Sequence, residues 1–204
     1  MVTNKKGVFP LCLLLFLPFL ALYFITMPVD LSQLTPAFKA QVDRLLQQCN
    51  AQGIIMRPNE GLRTPFVQAK YWRQSRTSEE IAAKIDDLTA KGALFLAHCI
   101  DSVGPQHGDP VTNAIPGMSW HQWGEALDCF WVVDGKAEWS VNRLVNGQNG
   151  FRVYADSAAA MGLTAGGKWT SLKDWPHVQL KTAASPLGAF TLQNIDATMQ
   201  RAFG

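Results

Sequence analysis

Apolar positions along this chain follow two rhythms, and the residues between them mark where one gives way to the other. From Thr35 onward, Phe38, Val42, Leu45, Leu46 and Cys49 return every three or four residues, which predicts a helix. Thr35-Pro36 starts it with a capping side chain and a proline in the first turn, and Gly53 ends it. Ile54-Ile-Met-Arg57 reads as a short strand. Thr64-Pro65 then repeats the start signature for a helix carrying Phe66, Ala69, Tyr71, Trp72 and Arg73 and ending near Arg76. Thr77-Ser-Glu-Glu80 is a capping box, opening a helical pattern through Ile81, Ile85, Leu88, Leu94, Phe95 and Ile100 that Gly92 divides in two.

Val103 to Gly117, rich in Gly, Pro, Asn and Asp, is an irregular loop. The run Ala126 to Val133 (ALDCFWVV) is short, apolar and rich in aromatic and β-branched residues, the mark of a buried strand. Asp134-Gly135 joins it to Ala137–Ser140 as a two-residue hairpin. Phe151 to Met161 is helical and closed by Gly162. Gly166-Gly-Lys-Trp169 is a turn, His177–Leu180 a short strand, and Leu192 to Phe203 an amphipathic helix. Helices first, then a small antiparallel sheet interleaved with helices, make an α+β domain.

One stretch obeys neither rhythm. Val8 to Met27 carries no charge and is almost wholly apolar, with Lys5-Lys6 before it and Asp30 after it. Roughly 20 such residues at a rise of about 1.5 Å are enough to cross a bilayer as a helix. The two lysines predict a cytoplasmic N-terminus and an exported remainder. No small-x-small cleavage site closes the run, so residues 1–27 read as an uncleaved anchor, with a signal peptide as the rival. Residues 28–204 then form a single domain, long enough to bury a core.

Charge narrows the field of partners. The chain holds 18 Lys and Arg against 16 Asp and Glu, so without Lys5 and Lys6 the exported part is neutral. That argues against a nucleic-acid partner. Beyond Cys12 the cysteines are Cys49, Cys99 and Cys129, an odd number that allows at most one intramolecular pair, with buried free thiols as the plainer reading. No Cys-x-x-Cys occurs.

The chemistry gathers at Ser119-Trp-His-Gln-Trp-Gly-Glu-Ala-Leu-Asp128 and Asp174-Trp-Pro-His177. By alternation Asp128 shares a strand face with Ala126, Phe130 and Val132, and an ionised carboxylate there needs positive charge or hydrogen bonds. A metal ion would meet that need. His121 lies seven residues upstream with Gly124 between, and the second segment offers Asp174 and His177. Two histidines and one aspartate leave a fourth position open, as a catalytic zinc site requires, although other divalent ions suit the same donors.

The pattern Ser-x-His-x-x-Gly-x-Ala-x-Asp followed by Asp-x-Pro-His resembles the zinc peptidases of bacterial peptidoglycan, the VanY- and VanX-like D-alanyl-D-alanine peptidases and L-alanyl-D-glutamate endopeptidases, several phage endolysins among them. Glu60-Gly-Leu-Arg63-Thr-Pro65 is similar to the family's Glu-Gly-Tyr-Arg-Ser element. Val111-Thr-Asn-Ala114 and Gly166-Gly-Lys-Trp169 resemble further landmarks, and the likeness runs from about Thr35 to Leu180. It implies a Hedgehog/D-Ala-D-Ala-peptidase-like fold with Zn2+ held by His121, Asp128 and His177. It makes Asp174 the catalytic acid/base, Arg63 the arginine that binds substrate and polarises its carbonyl, and Ser119 a serine that helps hold substrate. One departure stands out: a mostly helical insertion of about residues 78–110, able to cover the cleft, bind a partner or thicken the domain.

The resemblance implies hydrolysis of a peptidoglycan stem peptide by a monomer facing the periplasm or the outer side of the membrane. Asp-x-Pro-His, rather than Glu-x-x-His, favours the L-alanyl-D-glutamate endopeptidase over the D-alanyl-D-alanine carboxypeptidase. A zinc-containing module that binds wall without cutting it is the rival from another class. His98 and His107 match no family position, and Glu125 falls at a variable one, facing solvent. Trp120, Trp123, Trp131, Trp169 and Trp175 crowd the site segments, and Trp120 or Trp175 is the expected cleft wall.

Overall fold

The computed structural model describes residues 29–204, so the anchor expected over residues 1–27 lies outside the described residues. Among the described residues no helix is long and apolar enough to cross a membrane.

Among the described residues six helices and five strands run in the order α1 (Pro36–Ala51), β1 (Ile55–Glu60), α2 (Pro65–Arg73), α3 (Ser78–Ala90), α4 (Leu94–Ser102), β2 (Ala126–Val133), β3 (Lys136–Glu138), α5 (Gly150–Ala160), β4 (Thr164–Ala165), β5 (His177–Gln179) and α6 (Leu192–Phe203), as expected but for the two-residue β4, which the sequence did not announce. The Thr77 hydroxyl and Glu80 carboxylate close the capping box on α3 as the sequence requires. Asp134 and Gly135 both take positive φ, 51° and 74°, the backbone that a two-residue hairpin needs. α2 stops short of Arg76 because Ser75 turns to φ 64°. β3 ends before Ser140, whose N–H is taken by the Glu138 carboxylate at 2.7 Å.

The sheet is antiparallel, with order β1-β2-β5-β4 and β3 paired to β2. β2 is its spine. On one edge it pairs with β1, and on the other first with β5 and then with β3. β1 runs on past Arg57 through Pro58, whose missing N–H an edge strand tolerates. Register shifts by one residue between Pro58 and Glu60, so Asn59 is extra and Glu60, not Asn59, lies opposite Asp128.

Two cores result. Leu127, Cys129, Trp131 and Val133 on one face of β2 pack against Phe38, Val42 and Leu45 of α1 and against Phe151 and Tyr154 of α5. The second core joins α2, α3, α4 and α6 through Trp72, Leu88, Leu96, Ile100, Ile195 and Met199. α3 and α4, which fall in the span of about residues 78–110 expected as an insertion, thus pack beside α2 and α6. Cys49, Cys99 and Cys129 are buried free thiols, so the described residues contain no disulfide.

Candidate metal centre and catalytic cleft

The other face of β2 is the functional one. Asp128, Phe130 and Val132 are only half-buried, so the strand expected to be buried throughout is open on the side that carries its carboxylate. Across the sheet, Glu60, Asp128 and His177 form one row, brought together by the β1 bulge and by the pairing of Asp128 with His177. His121 enters from a 3-10 turn, Trp120–Trp123, whose first N–H groups are capped by Ser119 and which ends at Gly124 in the left-handed region (φ 65°). A side chain at Gly124 would strike the Gln33 carbonyl, so glycine is needed there for both conformation and space.

Both imidazoles are oriented by groups that leave no choice of tautomer. His121 Nδ1 lies 2.8 Å from the Gly61 carbonyl, which only accepts, so Nδ1 carries the proton and Nε2 keeps its lone pair. Gln179 donates its amide to the carbonyls of Lys181 (2.6 Å) and Ala183 (3.0 Å), which turns Oε1 toward His177 Nε2 at 3.1 Å and leaves Nδ1 as the acceptor. His121 Nε2, His177 Nδ1 and Asp128 Oδ1 then converge at 3.3, 3.0 and 3.4 Å from one another.

Three lone pairs aimed at one point repel unless a cation lies between them. Tetrahedral donors at about 2.0–2.1 Å from zinc sit about 3.3 Å apart, which is the spacing present, so the residues fit the ion. The carboxylate and His177 already respond to each other. Where a proton takes the cation's place on the imidazoles, burial still raises the Asp128 pKa, but hydrogen bonds and charge from the protonated His121 and His177 hold it well below the carboxylate range. Burial also works against a charged His177, yet Asp128 raises its pKa overall.

Asp174 is delivered by a tight turn in which His177 N–H bonds to the Asp174 carbonyl (3.2 Å). Gly166 makes the turn possible: a Cβ there would meet the Asp174 carbonyl at 2.3 Å, which gives the Gly-Gly-Lys-Trp landmark its physical reason. Although solvent reaches Asp174, desolvation and then the Asp128 charge raise its pKa, while His177, His121 and Arg63 pull the other way.

Arg63 reaches the same cleft. Its Nε donates to Glu60 Oε1 (2.8 Å), its Nη1 to Gln68 Oε1 (2.9 Å), and its Nη2 pairs with Glu60 Oε2 and stands 3.8 Å from Asp128 Oδ2. A salt bridge to Glu60 and a place in the cleft are thus both true of it. Ser119 lines the cleft too; its Oγ accepts the His121 N–H at 3.4 Å as the cap of the turn, which leaves its O–H as a donor toward the cleft.

The cleft encloses about 630 Å³ and also admits Tyr71, Asn113, Trp169 and Lys173. Of the two tryptophans expected as its wall, Trp120 lines it while Trp175 packs on Gly167; Trp169 takes the second place. Glu125 does not face solvent: its side chain is mostly covered and pairs with Lys181 at 3.4 Å. His98 and His107 are exposed and distant from these donors.

Gln68 and Gln179 escaped the reading of the sequence. Gln68 is fully buried and ties Arg63 to Gln122 of the His121 turn (3.0 Å) and to the Ala114 carbonyl (2.7 Å). A polar residue one turn from Trp72 on an apolar helix face was its only signal. Gln179 was accessible by alternation, two residues from His177 on one strand.

Two histidines, a carboxylate, a second unbonded carboxyl and an arginine around one cleft are the groups from which a metal-dependent hydrolase can be built. Comparison with known proteins gives the class more closely. Residues 112–180 match the family described as D-alanyl-D-alanine carboxypeptidase. The chain is 27% identical over 157 residues to the peptidoglycan L-alanyl-D-glutamate endopeptidase CwlK of Bacillus subtilis, covering 76% of this chain and 77% of that protein. The crystal structure of the L-Ala D-Glu endopeptidase ChiX of Serratia marcescens aligns with a TM-score of 0.40 at 18% identity, over 74% of this chain and 84% of that one. The resemblance carried by the separated motifs is borne out: the family match spans both metal segments, and the likeness to the Bacillus endopeptidase extends over three quarters of the chain.

Proposed function

We propose that this chain is a zinc peptidase that hydrolyses the L-alanyl-D-glutamate bond of peptidoglycan stem peptides. The observation that carries the reading is the convergence of His121, Asp128 and His177 in one cleft with Asp174 and Arg63. Zinc, when bound there, supplies Lewis acidity, bringing water to a pKa of about 7 and drawing charge from the substrate carbonyl.

Asp174 accepts the proton of the attacking water and passes it to the leaving amine. Its raised pKa suits a group that must hold a proton for part of the cycle. Arg63 has five N–H donors, of which three are engaged by Glu60 and Gln68. With its charge shared with Glu60, it serves the substrate as an oriented hydrogen-bond donor to the carbonyl oxygen. Gln179 and the Gly61 carbonyl keep the imidazoles in the tautomers that bind metal.

The activity named for CwlK and the Asp-x-Pro-His segment support the endopeptidase reading. A D-alanyl-D-alanine carboxypeptidase is the second reading, favoured by the description of the matching family. The substrate would place the catalytic domain on the extracytoplasmic side, and Lys5-Lys6 before the apolar run of residues 8–27 supports a membrane anchor in that orientation. Protease accessibility in intact spheroplasts tests that placement.

Mass spectrometry of muropeptides incubated with the purified protein tests the reaction. Products cut between L-alanine and D-glutamate are expected, and none with Asp174→Asn. Release of D-alanine alone would transfer the assignment to the carboxypeptidase, and wall binding without any cleavage would transfer it to a non-hydrolytic module.

A further inference from the structure

The face of the sheet that carries the metal donors continues past them. One side-chain repeat along β2 from the row Glu60–Asp128–His177 lies a second row, Arg57–Phe130–Trp139. Arg57 pairs with Phe130 across the β1–β2 ladder. Trp139 follows the Trp131–Glu138 pair on the other edge, the edge that also holds His177. The Phe130 and Trp139 rings lie 5.7 Å apart, tilted by 41°. Trp139 is 51% exposed, Phe130 is half-buried, and Arg57, on the opposite side of Phe130 from Trp139, is exposed, so an indole, a phenyl ring and a guanidinium lie along one face of the sheet.

We infer that this row is a subsite for a pyranose ring of the glycan to which the stem peptide is attached, an inference that rests on the endopeptidase reading. The chemistry matches a sugar: the C–H face of a pyranose packs on aromatic rings, while its hydroxyl and N-acetyl groups need donors such as Arg57. The spacing matches as well. Two residues of strand separate the rows by about 6.6 Å. In the stem, one alanine and one lactyl unit, together about 7 Å when extended, separate the L-alanyl carbonyl from the sugar. A D-alanyl-D-alanine bond lies roughly 17 Å from the sugar on the same scale, well past this row. A scissile carbonyl at the metal donors therefore sets the ring over Phe130 and Trp139 only for cleavage after the first residue.

The test is kcat/KM of the full-length, metal-loaded protein on a disaccharide-tetrapeptide and on the same tetrapeptide without sugar. The wild type is expected to prefer the sugar-bearing substrate. Trp139→Ala should lose that preference by about tenfold, through KM, with the free peptide unchanged, and Trp139→Phe should recover most of it. An equal fall on both substrates, no change on either, or a wild type that does not discriminate would each overturn the inference.

Failure of the endopeptidase reading has a separate signature, the absence of cleavage after L-alanine in every variant. Tryptophan quenching by the disaccharide-tetrapeptide then decides the subsite: quenching in wild type that Trp139→Ala abolishes supports it, and equal quenching overturns it. A Trp139-dependent emission shift on phospholipid vesicles, with none on the disaccharide-tetrapeptide, would also overturn it, in favour of a membrane contact.

Discussion

The two cores hold their contributions to the cleft in different ways. Asp128 and His177 stand on paired strands, so the backbone ladder fixes their spacing and the core under Leu127 and Val178 backs it. Arg63 and His121 stand on irregular segments beside the helical core. They are held by a buried side chain, Gln68, by the Gly61 carbonyl and by the bond from Arg63 N–H to the His121 carbonyl at 3.3 Å. One side of the site is register and the other a polar network. A ladder tolerates the loss of one side chain better than a network, because each buried donor left without an acceptor costs its full desolvation.

The largest effect that can break this contrast is at the donors themselves. Asp128→Ala and His121→Ala should each lose bound metal by elemental analysis and lose hydrolysis entirely, as should chelation of the wild type, since the ladder and the network meet at the same three atoms. Asp174→Asn should lower kcat by about 10²–10⁴-fold with metal content unchanged, separating proton transfer from metal binding. Retained turnover would remove Asp174 from the mechanism.

The contrast sharpens one shell further out. Gln179→Ala, on the ladder side, should weaken metal affinity by about 10–100-fold by releasing the His177 tautomer. It should lower stability less than Gln68→Ala, because the groups it also frees are carbonyls, of which Ala183 keeps the Trp120 Nε1 donor. Gln68→Ala, on the network side, should cost about 1–3 kcal/mol in denaturant unfolding by stranding Arg63 and Gln122. Interchanged results would refute the division. Asp196 of α6 accepts the Leu96 N–H at 2.8 Å where Ala93 gives α4 no cap of its own, so Asp196→Ala should cost about 1 kcal/mol.

The cysteines give the two cores separate reporters. Burial pushes the Cys49 thiol of the sheet core up to about 11 and the Cys99 thiol of the helical core up to about 12, from an ordinary 9.0. A folded pKa above the unfolded one stabilises below pH 9, and the benefit fades as pH climbs through 11 and 12. The thermal midpoint should therefore fall above pH 9, and Cys49→Ala should shallow the first part of that fall. At pH 8 both thiols should resist alkylation until the protein opens, with Cys99 labelled first by mass spectrometry, because its core has no strand ladder.

Much of this was legible along the chain. Pro36 and Gly53 mark the ends of α1 and the Thr77 capping box opens α3 because those signals act within one turn of backbone, but the cap expected from Thr35 is not made: its hydroxyl bonds no N–H of α1. Asp174 and His177 fall in one short segment, so their proximity follows from chain connectivity. Tyr71 and Gln68 were not legible as cleft and network residues, since what faces a helix depends on elements distant in sequence.

What the sequence by itself determined is the order of elements, their caps, and the supply of two histidines, two aspartates and an arginine in separated motifs. Only the tertiary structure decided how they meet. The bulge at Asn59 sets Glu60 against Asp128, and the Gly61 carbonyl and Gln179 choose the imidazole tautomers. The reason is physical: periodicity and capping are local, whereas register is set between strands some seventy residues apart, and a shift of one residue would turn each of these side chains to the other face.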